Sequence, residues 1–223
     1  MEEITIDRII RSKRKTLALI VAPDATLTVR APFETTLEYI GKIVFTKRFW
    51  ITEKKQQASK VGGEVQKKEF VHGEGFLYLG ETYRMRIQDG QDVILEDGEM
   101  LFPKKYREHA RKYMMLWYKK RALEKIKERV DWYSKSTGWY PTSIKVNSAQ
   151  TRWGSCGSQG ALNFTWRLIM TPLAVIDYVV VHELAHIHER NHSSKFWNKV
   201  KTVLPDYKER EKWLKENRKH LFV

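Results

Sequence analysis

The stretch from Val179 to His192 constrains this chain more than any other, because an apolar run there carries a His-Glu-x-x-His motif. Positions four residues apart lie on one face of a helix, so His182 and His186 can bind one metal ion together. Glu183 follows the first histidine, where a carboxylate can take a proton from a water molecule activated by the ion. The motif therefore predicts a hydrolytic metal site on a helix.

A third ligand is expected, because catalytic zinc sites use three protein ligands and keep one position open. His192 is the favoured residue, since Asn191 is predicted to end the helix and let the chain turn back towards the ion. His188 is predicted to face away, because six residues correspond to about 240° around a helix. Glu189 lies seven residues after His182, on roughly the same face, and remains an alternative ligand.

The composition indicates an ordered intracellular protein. With 223 residues, of which 42% are hydrophobic and 12% aromatic, the chain can form one domain or two small ones and bury a core. The single cysteine, Cys156, excludes an internal disulfide framework and favours a reducing compartment. The first residues lack a signal-peptide pattern, and no apolar run is long enough to cross a bilayer. These features predict a cytoplasmic protein without a membrane partner.

Most of the formal net charge of +14 comes from two predicted helical stretches. Basic residues exceed acidic ones by eight in residues 104–135 and by five in residues 195–223. Association of these basic helices with a polyanion or nucleic acid is one interpretation. The solvated faces of amphipathic helices are an equally good explanation of the same pattern.

Hydrophobic periodicity divides the chain into two regions, one with strand-like alternation and one with helical spacing. Short alternating segments, including residues 16–21 and 26–31 as a hairpin, predict a β-rich N-terminal region over residues 1–103. A long amphipathic helix from Lys104 to about Lys135 begins the second region, residues 104–223. The sequence thus predicts an α+β fold, in which the two regions pack as one compact unit.

Beside the histidine motif, several segments carry a family resemblance: Thr151–Cys156, Trp166–Leu168, Asp177–His186, Asn191–Ser193, Phe196 and Trp197. Together they resemble the YgjP-like family of metal-dependent hydrolases. This family has a zincin-like metallopeptidase domain and is related to the SprT-like and WLM proteases. The resemblance implies that the second region is a helical zincin-like catalytic half with a small antiparallel sheet. It also implies one Zn²⁺ ion on His182, His186 and His192, replaceable by Mn²⁺ or Co²⁺, with Glu183 as the base.

Three further cations are candidates for contact with the substrate. Arg152 is predicted to stabilise negative charge that develops during the reaction, because a guanidinium offers a fixed fork of donors. Arg167 and Lys195 are predicted to bind substrate, although a structural partner for the first and solvent for the second are competing explanations. Cys156 is interpreted as a structural thiol, since a metal site needs no second nucleophile.

The scissile bond is left open by the sequence. A metallopeptidase with a peptide substrate is the first hypothesis, and a nucleoside triphosphate pyrophosphohydrolase of UTP type that uses the same site is the second. A nucleic-acid-associated metallohydrolase is the third. A peptide cleft requires a free strand edge that can hold substrate backbone, whereas a nucleotide site requires converging arginines and lysines.

Overall fold

The polypeptide folds as two units, Met1–Gln66 and Lys67–Val223, each with its own apolar core. The computed structural model describes residues 4–22, 25–61 and 68–221. Strands and helices occur in both units, so the predicted α+β class is confirmed. The division lies at residues 66/67 and differs from the predicted boundary at residue 103, because residues 75–103 share a core with the helices that follow.

The first unit is a three-stranded sheet with two helices. These elements are β1 (Arg8–Ser12), β2 (Ala18–Val21), β3 (Leu27–Pro32), α1 (Leu37–Thr46) and α2 (Arg48–Val61). The central strand β3 pairs antiparallel with β2, as predicted, and parallel with β1. Because side chains alternate along a strand, Leu27, Val29 and Ala31 all point into the core. The turn before β3 includes residues 23–24, which lie outside the described part.

The second unit begins with a four-stranded sheet in the order β4-β5-β7-β6. Its strands are β4 (Gly75–Tyr78), β5 (Glu81–Gln88), β6 (Ile94–Glu96) and β7 (Glu99–Pro103). The sheet is tied to helix α3 (Ala110–Thr137), where the Tyr118 hydroxyl donates to the Leu77 carbonyl at 2.8 Å. These contacts across the predicted boundary explain why the sheet and the helix form one unit.

Helix α3 is the long amphipathic helix predicted from Lys104 onwards. A 3-10 helix, Lys104–His109, precedes α3 and forms the first part of the predicted segment. Gly138, with φ of +76°, ends α3 in the left-handed conformation that glycine adopts readily. The buried side chains recur every four residues: Ala110, Met114, Tyr118, Ala122, Ile126 and Val130. Of Leu116 and Trp117, the two residues that the periodicity offers at one position of this stripe, Trp117 packs against the core, whereas Leu116 lies half a turn away from the buried positions and is 53% exposed.

The part that carries the histidine motif combines a second small sheet with three helices. Its elements are β8 (Ser143–Asn147), β9 (Gly154–Cys156), β10 (Ala161–Thr165), α4 (Leu173–Ala185), α5 (Ser194–Val203) and α6 (Tyr207–Asn217). In the order β8-β10-β9, β10 pairs antiparallel with β9 but parallel with β8, so the sheet is mixed, whereas an antiparallel sheet was predicted. Residues Trp166–Met170 form a 3-10 helix, although the sequence predicts a strand from Leu162 to Leu168.

Helix α4 is buried on nearly all sides, which explains its almost continuous run of apolar residues. It follows Pro172, whose missing N–H is no loss at a helix start. It has 13 residues, and no helix in the described ranges has both the length and the apolarity needed to span a bilayer. The one buried acidic residue near the middle of α4, Asp177, pairs with Arg129 of α3 through two hydrogen bonds of 2.6 and 3.1 Å.

Replacing Asp177 with asparagine is expected to lower the free energy of unfolding by about 3–5 kcal/mol, because it leaves the largely buried Arg129 guanidinium without its counter-charge. Urea unfolding measures this loss. Glu124→Gln is the matched control, since its pair with Arg121 is about half exposed and contributes about 0–1 kcal/mol. Equal effects of the two substitutions would contradict a stabilising role for the pair between α3 and α4.

Candidate metal centre and active site

Three histidines meet at the C-terminal end of α4. His182 lies in its last turn, His186 directly follows its last residue Ala185, and His192 returns from the loop that leads to α5. Their ligand nitrogens all lie within 4.8 Å of one another, and the Nε2 atoms of His182 and His192 are 3.0 Å apart. The predicted end of the helix at Asn191 is wrong: the helix stops after Ala185, and the loop supplies the return of the chain.

Packing orients the three imidazoles. Phe196 of α5 is fully buried, and its ring centroid lies 4.9, 4.5 and 4.8 Å from those of His182, His186 and His192. The start of α5 places this ring, because the Ser193 hydroxyl accepts a hydrogen bond from the Phe196 N–H, as predicted for a helix cap. One aromatic side chain thus supports all three histidines.

Of His182 and His186, only His186 is oriented by a hydrogen bond. His186 Nδ1 lies 2.9 Å from the Glu189 carbonyl, which fixes this nitrogen as the N–H and leaves Nε2 as the ligand atom. His182 Nδ1 is buried without a hydrogen-bond partner in the described part of the chain, so its ring depends on the packing of its neighbours. The two ligands are therefore held by different means.

The histidine cluster suits a divalent metal ion. Burial, with smaller contributions from the other two histidines, lowers the pKa of His182 to about 3, and burial also lowers the pKa of His186. Both imidazoles are thus neutral at pH 7, as metal ligands must be. The Nε2 atoms of His182 and His192, 3.0 Å apart, are near enough to bind one ion, since metal–nitrogen bonds are about 2.0–2.1 Å. The residues present fit the group that the motif implies.

Glu183 lies beneath strand β9 and is only 6% exposed. Burial raises the pKa of this carboxyl to about 8, and the positive charge of Arg152 opposes the rise. The space for the carboxylate exists because residue 154 is a glycine: a Cβ at Gly154 would lie 2.5 Å from Glu183 Oε1. The structure thus places Glu183 beside the histidine-bearing end of α4, with Arg152 near enough for its charge to act on this carboxyl.

The remaining candidates lie elsewhere or have other contacts. Arg167 Nη1 donates to the Ala149 carbonyl at 3.3 Å, and its guanidinium lies over the Trp166 ring, so these contacts are structural. Lys195 is exposed in the first turn of α5. The carboxylate of Glu189, the alternative third ligand, is not part of the ligand group. His188 packs near Trp139, in agreement with its predicted outward direction.

Two residues near the site were missed by sequence reasoning. Arg190 donates to the carbonyls of Gly157 and Ser158, each at 2.7 Å, and so joins the loop after α4 to the end of β9. Its Nη1 also approaches the Cys156 sulfur at 3.7 Å, and burial raises the pKa of that thiol, which agrees with a structural cysteine. The close approach of Gly154 is equally hidden from periodicity, because only the fold brings it to Glu183.

Many of the excess positive charges on the helices are paired. Six basic residues of α3 and α6 form ion pairs: Arg121, Lys125, Arg129, Arg210, Lys212 and Lys215. All but one of these pairs lie within a single helix or at its start, which is the pattern of solvated amphipathic helices. Association with a polyanion or nucleic acid stays a prediction.

Comparison with known proteins identifies the family. The model of the YgjP-like metallopeptidase domain matches residues 15–217. The chain belongs to the YgjP-like family. With the histidine cluster, membership makes this YgjP-like protein a metal-dependent hydrolase that uses a divalent ion.

Other comparisons add little to this YgjP-like assignment. No curated protein matches the chain. Among solved structures, the metallopeptidase zymogen abylysin of Pyrococcus abyssi is similar, with 18% identity and a TM-score of 0.38. That similarity covers 41% of this chain and 93% of abylysin. At this TM-score it contributes nothing to the assignment of the site.

Proposed function

We propose that the protein is a zinc-dependent metallopeptidase that binds its substrate along the free edge of strand β9. The observation that carries this proposal is the position of that edge beside Glu183 and the histidine cluster. A strand edge holds an extended peptide through backbone hydrogen bonds, and it offers no comparable contacts to a nucleotide.

The free edge has backbone groups available for pairing. Thr165 N–H donates to the Trp153 carbonyl and Gly157 N–H donates to the Ala161 carbonyl, so residues 153 and 157 face β10. Antiparallel ladders alternate, so the N–H and C=O groups of Gly154 and Cys156 point away from β10. In the described part of the chain, no hydrogen bond from another element reaches these groups. A substrate strand would find two donors and two acceptors there.

The surroundings favour a peptide over a nucleotide. A cavity of about 220 Å³ adjoins His182 and Glu183, below the 300–1,000 Å³ typical of small-molecule sites. Its one basic side chain, Lys215, is paired with Glu211 at 2.7 Å. A triphosphate would require several converging arginines and lysines, and this cavity is not lined by such a group.

Each residue of the site has a role in peptide hydrolysis. His182, His186 and His192 would hold the ion, which, when bound, polarises the scissile carbonyl and lowers the pKa of water. Glu183 would accept the proton of the attacking water and pass it to the leaving amine. Arg152 would donate to the oxyanion that forms.

Parallel assays of peptides and nucleotides test the proposal. Protein loaded with zinc, or separately with manganese or cobalt, is incubated with unstructured peptides and with nucleoside triphosphates. We expect peptide cleavage, detected by mass spectrometry, and no release of pyrophosphate or phosphate. Pyrophosphate release with intact peptides would overturn the proposal and make the protein a nucleotide hydrolase.

A further inference from the structure

A cavity lies beside Glu183, and the proposed reaction does not by itself require it. It lies between the start of β9 and the helices α4 and α6, and its volume is about 220 Å³. Its lining residues are Trp153, Gly154, Tyr178, Val179, His182, Glu183, Glu211, Leu214 and Lys215. Because His182 and Glu183 belong both to the cavity and to the active site, the cavity opens directly at the reacting centre.

Apolar side chains form the larger part of the wall of this cavity. Tyr178, Val179 and Leu214 form walls that are each at least nine-tenths buried, and the half-buried Trp153 completes them. Such a surface favours an apolar side chain through the hydrophobic effect, and it disfavours a charged one, which would lose hydration without a partner.

Two charged side chains on the α6 side of the cavity are paired with each other. Glu211 and Lys215 stand one turn apart on α6 and form an ion pair of 2.7 Å. Because each of these two side chains already has a partner and the pair is partly exposed, an incoming acidic or basic side chain would gain little attraction from either of them. The pair leaves an apolar side chain as the favoured occupant.

The cavity is also continuous with the strand edge. Gly154 lines it and lies on β9, and Trp153 lines it directly before the strand begins. In an extended peptide alternate side chains point to the same side, so a substrate paired with β9 directs one side chain towards α4 and α6 while its neighbours point away. The side chain next to the bond that faces Glu183 is the one that reaches the cavity.

We infer that this cavity is a specificity pocket for one large, uncharged apolar side chain, such as leucine, methionine or phenylalanine, adjacent to the scissile peptide bond. The inference rests on the proposed peptidase function and deepens it, because it names the class of peptide that is cut. Leu214 of α6 is the wall residue whose truncation would enlarge the pocket.

Cleavage of a peptide set with one varied position tests the inference. The position next to the scissile bond carries leucine, phenylalanine, tryptophan, aspartate or lysine, and kcat/KM is measured for the zinc-loaded protein. Leucine and phenylalanine are expected to exceed aspartate and lysine by at least about tenfold. Leu214→Ala is expected to enlarge the pocket and shift the preference towards tryptophan. Leu204→Ala, which truncates an equally buried leucine outside the cavity, is the control and should leave the preference unchanged.

Binding to an inactive protein separates the pocket from the reaction. The same peptides, fluorescently labelled, are titrated into zinc-loaded Glu183→Gln protein, and the Kd is read from fluorescence anisotropy. Tighter binding of the leucine and phenylalanine peptides by about tenfold is the expected result. Cleavage without a side-chain preference would overturn the inferred specificity pocket and leave the peptidase proposal intact. The same holds if Leu204→Ala changes the preference as much as Leu214→Ala does. Absence of cleavage would overturn the peptidase proposal, and the anisotropy titration would then decide on the pocket alone.

Discussion

Replacing Glu183 with glutamine is expected to lower peptide hydrolysis by about 10²–10⁴-fold while the protein still binds one metal ion. Glutamine has nearly the same shape as glutamate but cannot accept the proton of the attacking water. The three histidine nitrogens remain, and the carboxylate of Glu183 is not among the grouped ligand atoms. The measurements are kcat with a cleaved peptide and metal content by elemental analysis.

Glu189→Gln is the matched control for this substitution. Glu189 follows the same helix, and it supports His186 through its backbone carbonyl, which the substitution retains. Activity and metal content are therefore expected to stay close to those of the unchanged protein. Loss of metal in Glu189→Gln would instead identify Glu189 as the third ligand, and full activity in Glu183→Gln would remove Glu183 from the reaction.

The meeting of the three histidines could be predicted from local geometry. The spacing of His182 and His186 brings them to one face of a helix, and this holds although α4 ends before the second of them. His192 required one more assumption, that the chain turns back after the helix. The turn occurs, but it begins six residues earlier than predicted. Helix ends depend on capping contacts, which cannot be predicted from the sequence of α4.

The contacts that hold the site together could not be predicted in this way. In the sequence, Phe196 is one more apolar position of an amphipathic helix. Only the packing of α5 places its ring against all three imidazoles. Arg190 reads as a surface charge, whereas its guanidinium joins two loops. Both contacts are long-range consequences of the fold, and periodicity reports only short-range order.

The predicted change of region at residue 103 and the division at residues 66/67 differ for a related reason. The change from alternating to helical periodicity at Phe102–Pro103 is real, and it coincides with the end of β7. The change does not mark a boundary between cores, because Trp117 and Tyr118 of α3 donate hydrogen bonds to carbonyls in the preceding sheet region. A change of secondary structure therefore indicates where an element ends, and only packing indicates where a unit ends.

Replacing Gly154 with alanine is expected to lower kcat/KM by at least about 100-fold, the scale of loss that a displacement of about 1 Å causes at a reacting group. A Cβ at this position would lie 2.5 Å from Oε1, 2.6 Å from Cγ and 2.8 Å from Cδ of Glu183. These distances are too short for non-bonded atoms, so either the carboxylate or strand β9 must move. Because Cγ as well as Oε1 lies this close, rotation of the carboxyl group alone would not relieve the contact.

Gly157→Ala is the control, because a Cβ there would lie 3.5 Å from its nearest neighbour, the Ala161 carbonyl oxygen, at an ordinary contact distance. Its activity should remain close to that of the unchanged protein. Metal content should be unaffected in both variants, since neither new methyl group is directed at a histidine nitrogen. Unchanged activity in Gly154→Ala would mean that the position of the Glu183 carboxylate does not limit the reaction. A loss of activity confined to Gly154→Ala would show that the catalytic geometry depends on the missing side chain of one glycine in the edge strand.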